Sequence, residues 1–302
     1  MKFQSWPNVP RAITALLIFA AILAPAETAK GTATSRHLEL ISRATDHELH
    51  ALEKPVLFQF QERLEWAWGT ETRSVIETAE GRVDKIVRFR DEPLTPEQQS
   101  KQAHRLEKLL SDRDAVKNEL QDQKAETQRR IRMVRAFPRA FFFNFIGEEK
   151  GLLRFNFFPN PEFSPKDRET QMYRGMEGAM LIEPLQERIV EVQGKLVKDV
   201  SFGWGIFGRL SKGGIYEIAQ TQLSPGTWRV TTLNVDVKGR VFFLDSFHFA
   251  RRESDSHYRA TPPSMTYQSA IKALLAPSVP EDDGQEGPQT SARSRGKRLT
   301  GH

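Results

Sequence analysis

Between Val56 and Arg252 the chain alternates apolar and polar residues again and again with a period of two, and this pattern limits the fold more than any other feature. The clearest instance comes first. Phe58, Phe60, Leu64, Trp66 and Trp68 share one face, and Gln59, Gln61, Arg63 and Glu65 share the other. Such alternation belongs to a half-buried strand. Glu62 alone breaks the apolar face. Further strands are expected at 71–78 and 82–90, around a turn at Ala79-Glu80-Gly81. Others follow at 177–183, 188–200, 214–222, 228–238 and 240–252. Turn residues stand at Ser224-Pro225-Gly226 and Lys238-Gly239. Phe141, Phe142, Phe143, Phe145, Phe155, Phe157, Phe158 and Phe163 cluster about a hairpin expected to turn between Gly147 and Gly151.

Helical spacing appears in three places. Residues 33–53 carry Leu38, Leu40, Ile41, Leu49 and Leu52 and stop at Pro55; a short helix is expected at 264–275. Thr95-Pro96-Glu97-Gln98 combines an N-cap, a proline at the first helical position and a capping box. The helix it opens reaches to about Arg135. Unbroken it would extend ~60 Å, so a break near Ser111-Asp112 or a projecting arm is expected. Its apolar stripe is narrow: Leu106, Leu109, Leu110, Val116 and Leu120. Together these elements predict an α+β fold: a large antiparallel sheet, an N-terminal helix and a charged helical insertion at 95–136, in one domain over 33–275.

The ends read differently. Lys2 and Arg11 precede an uncharged run from Ala12 to Ala26 that closes on Ala24-Pro25-Ala26. A basic start, an apolar core and small residues at the cut describe a secretory signal peptide over 1–26; an uncleaved anchor is the alternative. Residues 277–302, rich in Pro, Gly, Ser and charge, are expected to be a disordered tail. Cysteine is absent, which removes disulfides, thiol nucleophiles and cysteine metal sites. An export signal without disulfides fits a bacterial periplasm. The formal charge of +5 and pI near 9.4 favour anionic partners without choosing among them.

Few motifs carry chemistry. Gly203-Trp204-Gly205-Ile206-Phe207-Gly208 satisfies G-x-G-x-x-G, but a turn and a strand follow where a dinucleotide site needs a helix. It reads better as a loop that presents Trp204, Ile206 and Phe207, either plugging the core or touching ligand. His47 and His50 in H-E-L-H lack the i, i+4 spacing and third ligand of a helical zinc site, so no metal is expected. No nucleophile–base pairing is visible, and no catalytic residue or cofactor is assigned. Glu62 either pairs with an arginine or has a raised pKa and a role. Arg129, Arg130, Arg132, Arg135 and Arg139 form a basic cluster, read either as a solvated helix end or as a contact for phosphate-bearing headgroups.

The segments 90–98, 143–149 and 200–203, with the charged helix between them, resemble the LolA-, LolB- and RseB-like lipoprotein-sorting superfamily, in its uncharacterised secreted branch. The resemblance covers roughly residues 55–258. It implies a curved, half-open barrel whose concave face holds acyl chains beneath helical lids. The charged helix is longer here than in those carriers, and their lid contacts have no residue-by-residue counterpart in this chain.

Twenty Phe and five Trp fill a core or line an open apolar face. On the second view the chain is a non-enzymatic periplasmic carrier for a lipid or acylated ligand. Its contacts would be Phe58, Phe60, Leu64, Trp66, Trp68, Phe143, Phe145, Phe155, Phe157 and Trp204, with Arg129, Arg130, Arg132 and Arg135 on an anionic headgroup. The alternative is an envelope interaction or sensor module that binds another protein through its charged helix. An anionic lipid surface is a further partner, and nucleic acid is not expected. A hydrolase using a carboxylate pair is the weakest reading.

Overall fold

The computed structural model describes residues 33–202, 208–241 and 245–276. The expected leader, the loop residue Trp204 and the expected tail lie outside them.

Thr34 caps α1 (Ser35–Glu53) in a capping box with His37. A meander follows: β1 (Phe58–Trp66), β2 (Gly69–Glu77), β3 (Arg82–Phe89) and the two-residue β4 (Glu92–Pro93). The capping box at Thr95 opens α2 (Pro96–Ser111), which ends at Asp112. Asp112 leaves helical geometry and caps α3 (Arg113–Ala140) through Ala115 N–H. The expected break is therefore real. The helix beyond it runs through Pro138 to Ala140, five residues past its expected end.

A second meander comprises β5 (Phe141–Glu149), β6 (Leu152–Pro159), the short α4 (Arg168–Gln171) with a 3-10 turn, β7 (Met176–Glu183) and β8 (Arg188–Leu196). A small pair, β9 (Val200–Phe202) and β10 (Gly208–Leu210), attaches to β12. Then come β11 (Ile215–Ser224), β12 (Thr227–Val241), β13 (Asp245–Ala260) and α5 (Tyr267–Leu275).

All pairings are antiparallel, and the 13-stranded sheet runs β4-β3-β2-β1-β13-β12-β11-β8-β7-β6-β5 without closing. The chain between β4 and β5 must therefore pass from one edge to the other. Eleven strands at ~4.8 Å spacing span roughly 48 Å if flat. At ~1.5 Å per residue α3 alone covers about 42 Å. Length and polarity in α3 follow from this crossing: it is a strap over the sheet with one side in water.

Directly opposed residues in antiparallel strands share a face, so register traces that face across the sheet. One row runs from Trp66 through Arg251, Val235, Tyr216, Gly194, Gly178 and Phe157 to Phe143. Its neighbour runs from Leu64 through Glu253, Leu233, Ile218, Val192, Met180 and Phe155 to Phe145. Under α1 and α3 the face is packed solid. Phe137 of α3 is 1% exposed and meets Phe141, Phe157 and Tyr173 at ring centroids of 5.0, 5.4 and 6.1 Å. Gly178 makes room for Phe157, since a Cβ there would sit 2.7 Å from Cζ of that ring.

Ile76 and Val83 point to the opposite face of β2 and β3, where α2 and α5 cover them through Leu106, Tyr267, Ile271 and Leu274. The expected stripe Leu109, Leu110, Val116 and Leu120 packs against this same cluster.

Three strand expectations need correction: the strand expected at 188–200 ends at Leu196, and Val200 opens the separate β9. Lys238-Gly239 lies inside β12, not in a turn. Gly239 is small because β10 passes close by: a Cβ would stand 2.3 Å from Arg209 O and 2.7 Å from the Phe247 ring. The last strand does not end near 252 but continues to Ala260.

Candidate functional site

The expected contact residues divide into two groups. Phe143, Phe155 and Phe157 are buried beneath α1 and α3, and Phe145 is half-buried against Phe155 and His37. The three buried rings are enclosed by protein. Phe58 and Phe60 are also buried, packed on Tyr258 at 5.5 and 5.1 Å with the Arg229 guanidinium over both. Leu64 is buried between them and the tryptophans.

Trp66 and Trp68 are different. Their rings lie parallel within 8° at 6.0 Å, and Trp68 stacks in turn on Phe89 at 5.9 Å. Arg251 lies over Trp66 at 5.3 Å and Arg90 over Phe89 at 5.4 Å. Phe249 closes edge-on against Trp66. The result is a row in the order Arg251, Trp66, Trp68, Phe89, Arg90, in which cations cap the π faces. Trp68 is 41% exposed, and the Trp66 indole N–H is buried without a hydrogen-bond partner among the described residues. Phe89, Phe249 and both arginines were not foreseen, because they come to Trp66 and Trp68 only through sheet register.

Next to this stack the same face becomes ionic. Glu62, 1% exposed, accepts from Arg82 Nη2 at 2.8 Å and lies 3.9 Å from Arg73. Burial alone would raise its pKa, but Arg82, Arg73 and Arg251 outweigh burial and hold it below the usual carboxylate range. Arg82 is anchored to α3 as well. Its backbone N–H donates to Gln123 Oε1 and its carbonyl accepts from Gln123 Nε2, both at 2.8 Å. The arginine partner considered for Glu62 is therefore present.

Directly across from Glu62 stands Asp255, and across from Leu64 stands Glu253, which pairs with Arg251. A bulge sets this up. Between Gln59 and Gln61 the register slips by one residue, and His257 takes φ 56°. The extra residue puts Asp255 and Tyr258 on one face, where Tyr258 Oη donates to Asp255 Oδ2 at 3.2 Å. Burial, with the charges of Glu253 and Glu62, pushes the Asp255 carboxyl up to about 8.

One oxygen from each of Glu62, Glu253 and Asp255 lies within 4.8 Å of the others. Arg73, Arg82 and Arg251 already supply the positive charge a cation would bring, so the donor set does not suit a metal.

The basic cluster disperses in space. Arg130 pairs with Glu126, Arg132 lies 3.5 Å from Asp167, and Arg135 lies 3.2 Å from Glu53. A recess of about 370 Å³ between α1 and α3 is lined by Ser42, Thr45, Asp46, Leu49, Arg135, Pro138 and Arg139. None of the expected aromatic contacts borders it. In the H-E-L-H stretch, His47 Nδ1 bonds Glu187 O and Glu48 pairs with Arg188 at 3.2 Å, docking α1 on β8.

No protein-family model, curated protein or solved structure matches this chain.

Proposed function

We propose that this protein is a non-catalytic carrier of the bacterial periplasm that binds a lipid or other acylated ligand along the Trp66–Trp68–Phe89 stack. In this reading the open sheet curves as a half-open barrel and α3 is the cover over its concave face. The observation that carries the reading is the state of the stack: an exposed Trp68 ring beside a buried Trp66 indole N–H that lacks an acceptor. An acyl chain lying on the rings gains ~0.8 kcal/mol per buried methylene. Where the rings part to admit it, its ester or amide carbonyl pairs with the buried indole donor, whose unpaired state costs about 1–3 kcal/mol. The pairing suits an acylated ligand better than a plain hydrocarbon.

The rows that join Trp66 to Phe143 and Leu64 to Phe145 supply the rest of the argument. At the phenylalanine end the face is occupied by Phe137 and α1, so a chain would lie at the tryptophan end unless α3 lifts. The filled core also favours the second reading, an envelope module that binds a protein through its helices. Mass spectrometry of organic extracts from protein purified after periplasmic expression separates the two. A lipid near one-to-one stoichiometry, lost in Trp66→Ala, supports the carrier. Clean protein that also takes up no acyl probe supports the interaction module.

A further inference from the structure

Three carboxylates crowd the face beside the stack, and they are not equally served. Glu62 holds Arg82 and lies near Arg73, and Glu253 holds Arg251. Asp255 forms no ion pair among the described residues. Its Oδ2 accepts from Tyr258, while its Oδ1 is buried without a hydrogen-bond partner. One Asp255 oxygen also lies within 4.8 Å of an oxygen from each of the other two carboxylates, and a proton on Asp255 relieves that repulsion.

We propose that this cluster is a proton switch: one proton gained or lost on the Asp255 carboxyl sets whether Arg251 stays stacked on Trp66 or is drawn onto the carboxylates. Arg251 makes the coupling possible because it serves both neighbours. It pairs with Glu253, lies 5.3 Å over Trp66, and is within electrostatic reach of Glu62 and of Glu126 on α3. While Asp255 is protonated, Arg251 stays paired with Glu253 and caps the ring. When the proton leaves, the third negative charge competes for the same guanidinium.

The groups around Asp255 bear on this from each packed element. Glu62 faces it from β1 and Glu253 from its own strand, and both raise its pKa. Arg82 on β3 lowers it, and Asp84 acts on Arg82 in turn. On β2, Arg73 is engaged by Asp84, Glu71 and Glu62. From β12, Arg229 acts through Tyr258. On α3, Glu126 is held by Arg130 and Arg129. The position near 8 follows from burial first and then from the crowding, and it places the transition clear of ordinary carboxylates, histidines and tyrosines. The effect on ligand rests on the stack being the ligand's seat; the switch itself does not.

The test is a tryptophan-emission titration of the ligand-free, full-length protein from pH 6 to 10, with Trp66→Phe to isolate the Trp66 contribution. The wild type is expected to show a transition near pH 8 that Trp66→Phe abolishes. Asp255→Asn, which keeps the shape of the side chain, should remove the transition. Glu253→Gln should move its midpoint down, since a neighbouring charge is gone. A circular dichroism melt of each variant checks folding. If folded Asp255→Asn keeps the transition, or the wild type shows none, the switch is overturned. If the transition follows Asp255 and no acyl probe binds at any pH, the switch stands and the carrier reading fails.

Discussion

The two ends of one sheet face are closed in opposite ways. From β5 to β8 the face is covered by aromatic rings and by Phe137, Met133 and Ile41 from the helices above. From β13 to β3 the same face carries Glu62, Arg73, Arg82, Arg251, Glu253 and Asp255, and α3 meets them through Gln123 and Glu126. Burial of apolar surface is non-directional and tolerates no water, so the first end is rigid and shut. Buried charges gain little net stability but depend on particular partners and on pH. The difference teaches where change is possible: the ionic end, with the tryptophan stack beside it, is the adjustable one.

The largest expected effect breaks the packed end. Phe137→Ala should cost about 3–5 kcal/mol in urea unfolding, because the rings of Phe141, Phe143, Phe157 and Tyr173 close on a space the helix can no longer fill. A cost below about 1 kcal/mol would mean that α3 is not the wedge described.

At the ionic end, Glu62→Gln leaves Arg82 and Arg73 without their shared anion. Removing one member of a buried pair costs about 3–5 kcal/mol. Arg82 is 36% exposed, and water screening reduces the expected loss to about 2 kcal/mol. The loss should appear as weaker hydrogen-exchange protection around Gln123 as well as lower global stability.

Asp255→Asn should act in the opposite sense. The folded state binds a proton that the unfolded chain, with an ordinary value of 3.8, releases. The protonated form therefore contributes stability that is full below about pH 4 and is lost as pH rises through about 8. The variant should match the wild type in acid and exceed it at pH 9, where the wild type has lost the contribution of its protonated carboxyl. Equal stability at both pH values would sink this account of the ionic end.

Arg135→Ala is the smallest. Its pair with Glu53 is 58% and 49% exposed on the two sides, and such pairs contribute under about 0.5 kcal/mol. Vesicle flotation with anionic lipid sharpens the point: a strong loss of binding in this variant would restore the arginines as headgroup contacts.

Much of the frame was legible in the sequence because local chemistry dictates it. Phe58 to Trp66 alternate cleanly, the Thr95 capping box forms as written, and Asp112 ends one helix and caps the next. The second half of β13 was not legible. Glu253-Ser254-Asp255-Ser256-His257 has no apolar alternation, since its inward positions are charged and the bulge at His257 shifts the period. Only the interruption at Glu62 hinted at it, through the need of a buried carboxylate for a partner. The arginine cluster misled in the other direction. Residues 129, 130, 132 and 135 are close in sequence, but at 100° per residue they point around the whole helix. Each meets its own surroundings.

The most direct test of the central claim compares Trp68→Ala with Phe145→Ala in binding a fluorescent acyl probe at pH 7, with both variants confirmed folded. Trp68→Ala is expected to weaken binding at least tenfold, while Phe145→Ala leaves the affinity within about twofold of wild type. The reverse, with Phe145 needed and Trp68 dispensable, would place the ligand under α1 and α3 and contradict it.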